Sequence, residues 1–282
     1  MTMINIKNMS FGYRKQPVFN GFNLEIAGGE AVLLTGINGT GKTTLLRLLA
    51  GTLLPQSGSI EFSPELGKDP RKKIGFISDR INLYEDMTLS SAIRFHSSVY
   101  DISQFDMSLI EKSKLQLNKK IKDLSAGQKL IFHLSLLLSA QPEVLLIDEV
   151  IHSIDAYLRD VFLNSLIELM NRRRVTLIMV NLNFHDIEKI PQRVILLKDG
   201  SIEVDESIDD LKQKVKKLVS KTEIPGAPVL FSDKYADKYG YYLYPYSETL
   251  KTELTQNSDD HVEVENLNLH DIVKAFIGGQ YV

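Results

Sequence analysis

Three glycines and a lysine stand together in TGINGTGKTT, residues 35–44, with Gly36, Gly41, Lys42 and Thr43 at the spacing G-x-x-x-x-G-K-T and Gly39 between them. Glycine tolerates the left-handed backbone that turns successive N–H groups inward, and such donors at the start of a helix hold an oxyanion. In this pattern the lysine reaches the β- and γ-phosphates of a nucleotide and the threonine hydroxyl ligates magnesium. Further along, VLLIDEV ends in two adjacent carboxylates, Asp148 and Glu149. The first suits a magnesium ion held through water, and the second suits a general base that polarises an attacking water. A pair of acids after a strand means little alone. Joined to a phosphate loop, it specifies phosphoryl-transfer chemistry.

These groups need rigid elements beneath them. Residues 31–34, AVLL, are a short apolar run of the kind a parallel strand buried on both faces shows, and residues 42–50 have helix-forming composition with leucines at 45, 46, 48 and 49. Strand, loop and helix therefore follow in the order that a phosphate cradle requires. Val144 to Ile147 is a second buried-strand run, and TLIMV, 176–180, is a third.

About twenty residues before the acid pair stands KDLSAGQKL. With this segment in place the chain resembles the ATP-binding cassette (ABC) ATPases, with LSAGQ, Leu124 to Gln128, where the family signature LSGGQ stands. The resemblance covers roughly residues 4–205 and implies an α/β fold: an ABC-type P-loop NTPase core with a mixed sheet flanked by helices, a helical subdomain inserted at about 80–121, and a small α+β C-terminal appendage. It places the nucleotide-binding domain at 1–222 and the appendage at 223–282. It also implies a head-to-tail dimer with two ATP at the interface, Mg2+ as cofactor, and a separate integral membrane permease as partner. In that dimer Ser125, Gly127 and Gln128 contact the γ-phosphate held by the opposite subunit. Within the cradle the resemblance adds Asn38, Thr40 and Thr44 to the nucleotide contacts. Tyr13, in FGY, matches the aromatic that stacks on adenine, although an aromatic in a strand also serves sheet packing. Asp155 matches the loop after the catalytic glutamate, and Val150 replaces the proline usual there.

Two positions break the pattern. Where the family has a glutamine at the end of the strand reached by KKIGFIS, this chain has Asp79, which can ligate magnesium but cannot donate a hydrogen bond to water. The segment QRVILLKDGSIEV resembles the family's last core strand and its hairpin, with Asp199-Gly200 as the turn. Counting between it and TLIMV puts the family's switch histidine on Leu182. His185, three residues later, and Asn181 are the polar groups left to help catalysis. Asn183 as N-cap with Asp186 as its capping partner would place His185 in a first helical turn instead.

The whole chain sets limits on this reading. With 282 residues, 43% of them apolar, and a formal charge of −3, it can bury a full core and carries no field that would draw it onto nucleic acid. Cysteine is absent, which excludes disulfides and thiolate metal sites. No apolar run approaches a membrane span, so the expectation is a protein on the cytoplasmic side of the membrane, peripheral, reaching it through a partner. The basic run KDPRKK, 68–73, reads as a solvated loop, and IDDLKQKVKKLV reads as an amphipathic helix with Ile208, Leu211, Val215 and Leu218 on one face. Six tyrosines fall between 235 and 246, but residues 223–282 carry ten acids against four lysines, a net −6 that repels nucleic-acid phosphate. A small sheet with a final helix ended by Gly278 fits better, and this ending resembles the appendage of exporter cassettes. A soluble ABC-type ATPase, or a weakly hydrolysing nucleotide switch, is the alternative.

Overall fold

The computed structural model describes residues 1–14, 16–78, 83–150, 154–180, 187–224, 226–255 and 262–278. Its centre is a six-stranded sheet made from the continuous apolar runs. Five strands run parallel: β3 (Ala31–Thr35), β5 (Ile74–Ser78), β6 (Val144–Asp148), β7 (Thr176–Val180) and β8 (Arg193–Lys198). The edge strand β9 (Ser201–Ser207) turns back antiparallel to β8, giving the order β5-β6-β7-β3-β8-β9. Asp199 and Gly200 both have positive φ, 48° and 72°, in the two-residue turn between β8 and β9, as the hairpin signal required.

Side-chain alternation assigns the two faces. Val32, Leu34, Val144, Leu146, Ile178 and Val180 point to one core, shared with helix α1 (Lys42–Leu49) and an antiparallel sheet of β1 (Thr2–Tyr13), β2 (Gln16–Ala27) and β4 (Ser57–Phe62). Leu33, Leu145, Ile147, Leu177 and Met179 point to the other, covered by α4 (Ala126–Ser139) and α5 (Ala156–Arg172). Burial on both faces is why these strands read as unbroken apolar runs. It also aims the C-terminal ends of β3, β5, β6 and β7 at one edge, where open α/β sheets bind ligands.

The inserted segment carries α2 (Leu89–Val99) and α3 (Ser108–Lys112), joined by turns. Residues 70–73 form a short 3-10 turn, with Arg71 and Lys72 exposed, in agreement with a solvated loop. The expected helix over 208–219 is corrected: α6 (Ile208–Lys214) ends at Lys214, and β10 (Lys216–Ser220) follows. The apolar spacing suits a helix, but residues 216–220 gain ladder hydrogen bonds on both edges, from β12 (Lys238–Leu243) and β13 (Glu263–Asn266). Tertiary pairing overrides the local preference. With β11 (Phe231–Tyr235) these strands make a second sheet, β11-β12-β10-β13, which begins ahead of the 222/223 division expected from sequence.

Four of the six tyrosines, Tyr235, Tyr239, Tyr241 and Tyr242, lie in this second sheet. Tyr241 and Leu243 pack on one side with Leu218, against α7 (Glu248–Thr255), while Tyr242 on the other side joins the main core. Their hydroxyls are engaged: Ile224 N–H donates to Tyr241, while Tyr242 and Tyr244 donate to Asp233 and Glu206 at 3.0 and 2.7 Å. Helix α8 (Leu269–Phe276), capped by Asn268 and followed by Gly278 at φ 68°, buries Leu269, Ile272, Val273 and Ala275 in the core that α6 shares. Among the described residues, no helix is long and apolar enough to cross a membrane.

Candidate active site

The phosphate loop joins β3 to α1. Its glycines adopt backbone conformations that other residues avoid, with φ of 140° at Gly36, 87° at Gly39 and 102° at Gly41. Gly36 and Gly41 also lack room: a Cβ on Gly36 would fall on the carbonyl oxygen of Leu197, and one on Gly41 would lie 2.7 Å from Phe19 Cζ and 2.8 Å from Val18 Cγ1. Lys42 is buried, and its Nζ donates to the carbonyl oxygens of Gly36 at 2.7 Å and Ile37 at 3.1 Å. Burial lowers its pKa, while the charges of Glu149 and Asp148 raise it. Its ammonium group is folded back on its own loop.

The two halves of the site are in direct contact. Thr43 Oγ1 donates to Asp148 Oδ1 at 3.1 Å, which links the start of α1 to the end of β6. Glu149 follows in a left-handed conformation, φ 49°, and its N–H donates to Val180 O at 3.0 Å. A non-glycine residue held there is strained by an amount on the order of 1 kcal/mol, and such strain clusters at functional sites. Thr40 Oγ1 donates to Ile37 O at 2.9 Å, Asn38 is exposed, and buried Thr44 meets the Tyr13 hydroxyl at 3.4 Å. Tyr13 is 43% exposed and its ring lies at right angles to that of Phe11.

The chain aligns with the energy-coupling factor transporter ATP-binding protein EcfA1 of Oenococcus oeni at 30% identity over 241 residues, covering 79% of this chain and 86% of that one. A probable sulfate/thiosulfate import ATP-binding protein, CysA, of Chlorella vulgaris is 32% identical over 213 residues, 71% of this chain and 89% of its own. This chain belongs to the ABC transporter ATP-binding family. It is an ATP-binding subunit and an ATPase. The sequence model of the ABC transporter family matches residues 19–152. A solved ATP-binding subunit of an ABC transporter superposes with a TM-score of 0.68 over 74% of this chain and 92% of that one, at 23% identity, which supports the fold.

The ABC signature departs from the usual sequence without harm to its geometry. Ser125 is the N-cap of α4: its side chain accepts from Gln128 N–H at 3.2 Å, and Gln128 Oε1 accepts from Ser125 N–H at 3.1 Å. Ala126 is the first residue of that helix and has no positive φ, so the replaced glycine's freedom is not needed there. Gly127 is needed for space, because a Cβ would lie 2.8 Å from Leu158 Cδ1 and 3.2 Å from Ile154 Cγ2. Asp155 caps α5 by accepting from Leu158 N–H at 3.0 Å. Asp79, Asn181 and His185, together with Leu182, lie outside the described residues, just past the ends of β5 and β7.

Sequence reasoning missed the left-handed Glu149 and the gathering of hydrogen bonds on the Ile37 carbonyl. No residue type announces either. The first follows from tertiary pairing at the sheet edge, the second from the turn of the loop itself.

Proposed function

We propose that this subunit binds Mg-ATP in the cradle, pairs with a second cassette around two nucleotides, hydrolyses them with Glu149 and drives a separate membrane permease. The observation that carries it is the convergence of Lys42, Thr43, Asp148 and Glu149 at one sheet edge, with Thr43 and Asp148 in direct contact. A hydroxyl and a carboxylate are hard oxygen donors of the kind magnesium takes, so the residues fit that ion. When bound, magnesium neutralises charge on the phosphate oxygens; Thr43 and Asp148 would hold it, with Asp79 proposed as a further ligand. Lys42 exchanges its two carbonyl partners for phosphate oxygens, and backbone N–H groups of residues 38–44 surround them. Tyr13 stacks on the adenine. Glu149 takes the proton of the attacking water as it adds to the γ-phosphorus, and the bond from that phosphorus to the bridging oxygen breaks to release ADP and phosphate. Ser125, Gly127 and Gln128 read the γ-phosphate of the partner's ATP. Asn181 and His185 are the proposed polar aids near the water, in place of the histidine that Leu182 replaces.

The helical insertion supports a docked permease: Tyr84, Phe95 and Val99 are 62%, 46% and 51% exposed, and the rings of Tyr84 and Phe95 meet edge-on at 5.4 Å. We place the subunit on the cytoplasmic face of the membrane and divide the chain near 215 into cassette and appendage. The appendage is the basis for export as the direction, although the sulfate/thiosulfate relative is named for import. Glu149→Gln with ATP should elute as a dimer, and the wild-type chain extracted from membranes should carry a polytopic protein. A Glu149→Gln chain that stays monomeric with ATP bound would overturn the sandwich, and recovery with ribosomes alone would overturn the transport reading.

A further inference from the structure

The appendage reaches the phosphate loop. Ile37, the second residue of the cradle, lines a cavity of about 320 Å3 together with Leu196 and Leu197 of β8 and Leu230, Phe276 and Ile277 of the appendage. The Ile37 carbonyl is also where the loop's internal bonds gather, accepting from Thr40 N–H at 3.4 Å, Thr40 Oγ1 at 2.9 Å and Lys42 Nζ at 3.1 Å. One residue therefore borders the cavity that the appendage also lines and holds the cradle's cation with its main chain.

The appendage side of this cavity is held firmly. The buried face of α8 fixes that helix in the main core, and the helix ends at the cavity, which Ile277 and Gly278 also line. The Phe276 ring packs edge-on against Tyr244 at 5.0 Å. The Tyr244 hydroxyl donates to Glu206 at 2.7 Å, and Glu206 pairs with Lys214 at 2.7 Å. On the loop side, Gly36 lies so close to Leu197 that β8 serves as the floor of the cradle. Lys42 must leave the Gly36 and Ile37 carbonyls to meet a phosphate, which frees the Ile37 peptide of one of its three bonds when nucleotide binds. The cavity gives that residue room, and Phe276 bounds it.

We propose that Phe276 is a positioning residue for the phosphate loop, acting through Ile37, so that the appendage sets ATP affinity. Removing its ring enlarges the cavity that Ile37 borders and costs the loop its preorganisation. The inference rests on the reading of residues 36–43 as the nucleotide cradle.

The test is a double-mutant cycle in the full-length chain with Ile37→Ala, Phe276→Ala and the pair, measuring ATP affinity by equilibrium titration and kcat and KM by steady-state hydrolysis. Phe276→Ala should weaken ATP binding about fivefold or more, at the lower end of usual coupling, with kcat little changed. Phe276→Leu, which keeps apolar bulk, should recover most of the affinity. The double variant should bind about as well as Ile37→Ala alone. Leu250→Ala in α7, on the other side of the small sheet, is the control, since it loosens the appendage without touching the cavity. It should lower Tm and leave ATP affinity unchanged. Additive effects of Ile37→Ala and Phe276→Ala would overturn the proposal, as would an equal loss of affinity in Leu250→Ala. If Lys42→Ala still binds ATP, the cradle reading itself has failed. If Lys42→Ala loses ATP and the cycle is additive, only the role of Phe276 has failed.

Discussion

The phosphate loop and the signature segment are both glycine motifs, yet they use glycine for different physical reasons. In the loop, every glycine has a positive φ, and two of the three have neighbours where a side chain would begin. In the signature, Ala126 occupies an ordinary helical position, and only Gly127 is crowded, by the tips of side chains. Backbone conformation cannot be negotiated, whereas side-chain crowding can relax in part. The family pattern is therefore intact in the loop and altered in the signature, at the one glycine whose properties are not used.

That contrast can be broken by substitution, and the largest effect belongs to the loop. Gly41→Ala combines a backbone penalty of about 1–2 kcal/mol with a clash against Phe19 and Val18, and should abolish measurable ATP binding in an equilibrium titration. A Gly41→Ala chain with near-normal affinity would show that the loop does not need its left-handed turn. In the signature, Gly127→Ala meets the flexible ends of Leu158 and Ile154, so it should cost about 1–3 kcal/mol of stability in thermal unfolding and leave binding of ATP to the monomer in place.

A third effect comes from the helix that the signature begins. His133 on α4 and His96 on α2 both have lowered pKa values, His133 down to about 4, chiefly by burial and then by the charge of the facing His96. A base with a depressed folded pKa is protonated more readily in the unfolded chain. Its contribution is therefore complete above about pH 6.5 and is lost as pH falls toward 4. By linkage this amounts to about 2 kcal/mol at pH 5 for His133 alone. Unfolding midpoints from pH 7 to pH 5 should fall for the wild type and fall less for His133→Leu. The smallest effect is Ala126→Gly, which restores the family residue, should cost under about 1 kcal/mol and should leave hydrolysis unchanged.

Much of the fold was legible because strands buried on both faces leave continuous apolar runs, and the chemistry was legible because phosphate binding requires glycine, lysine and a hydroxyl at set spacings. The Asp199-Gly200 hairpin was legible for the same reason, that local geometry restricts residue type. Residues 216–220 were not, since their strand exists only because β12 and β13 flank it on both sides. The left-handed backbone of Glu149 was hidden too, because a glutamate carries no sign that its neighbour in space will be the Val180 carbonyl. Asp79, Asn181 and His185 rest on register alone.

The central claim is that Glu149 performs the chemistry at a cradle built around Lys42. Steady-state ATP hydrolysis, measured beside ATP binding in the same preparations of wild type and Glu149→Gln, tests it most directly. Glu149→Gln should bind ATP normally and lose at least about a hundredfold in turnover, the scale of a general base. Turnover close to wild type in that variant would contradict it.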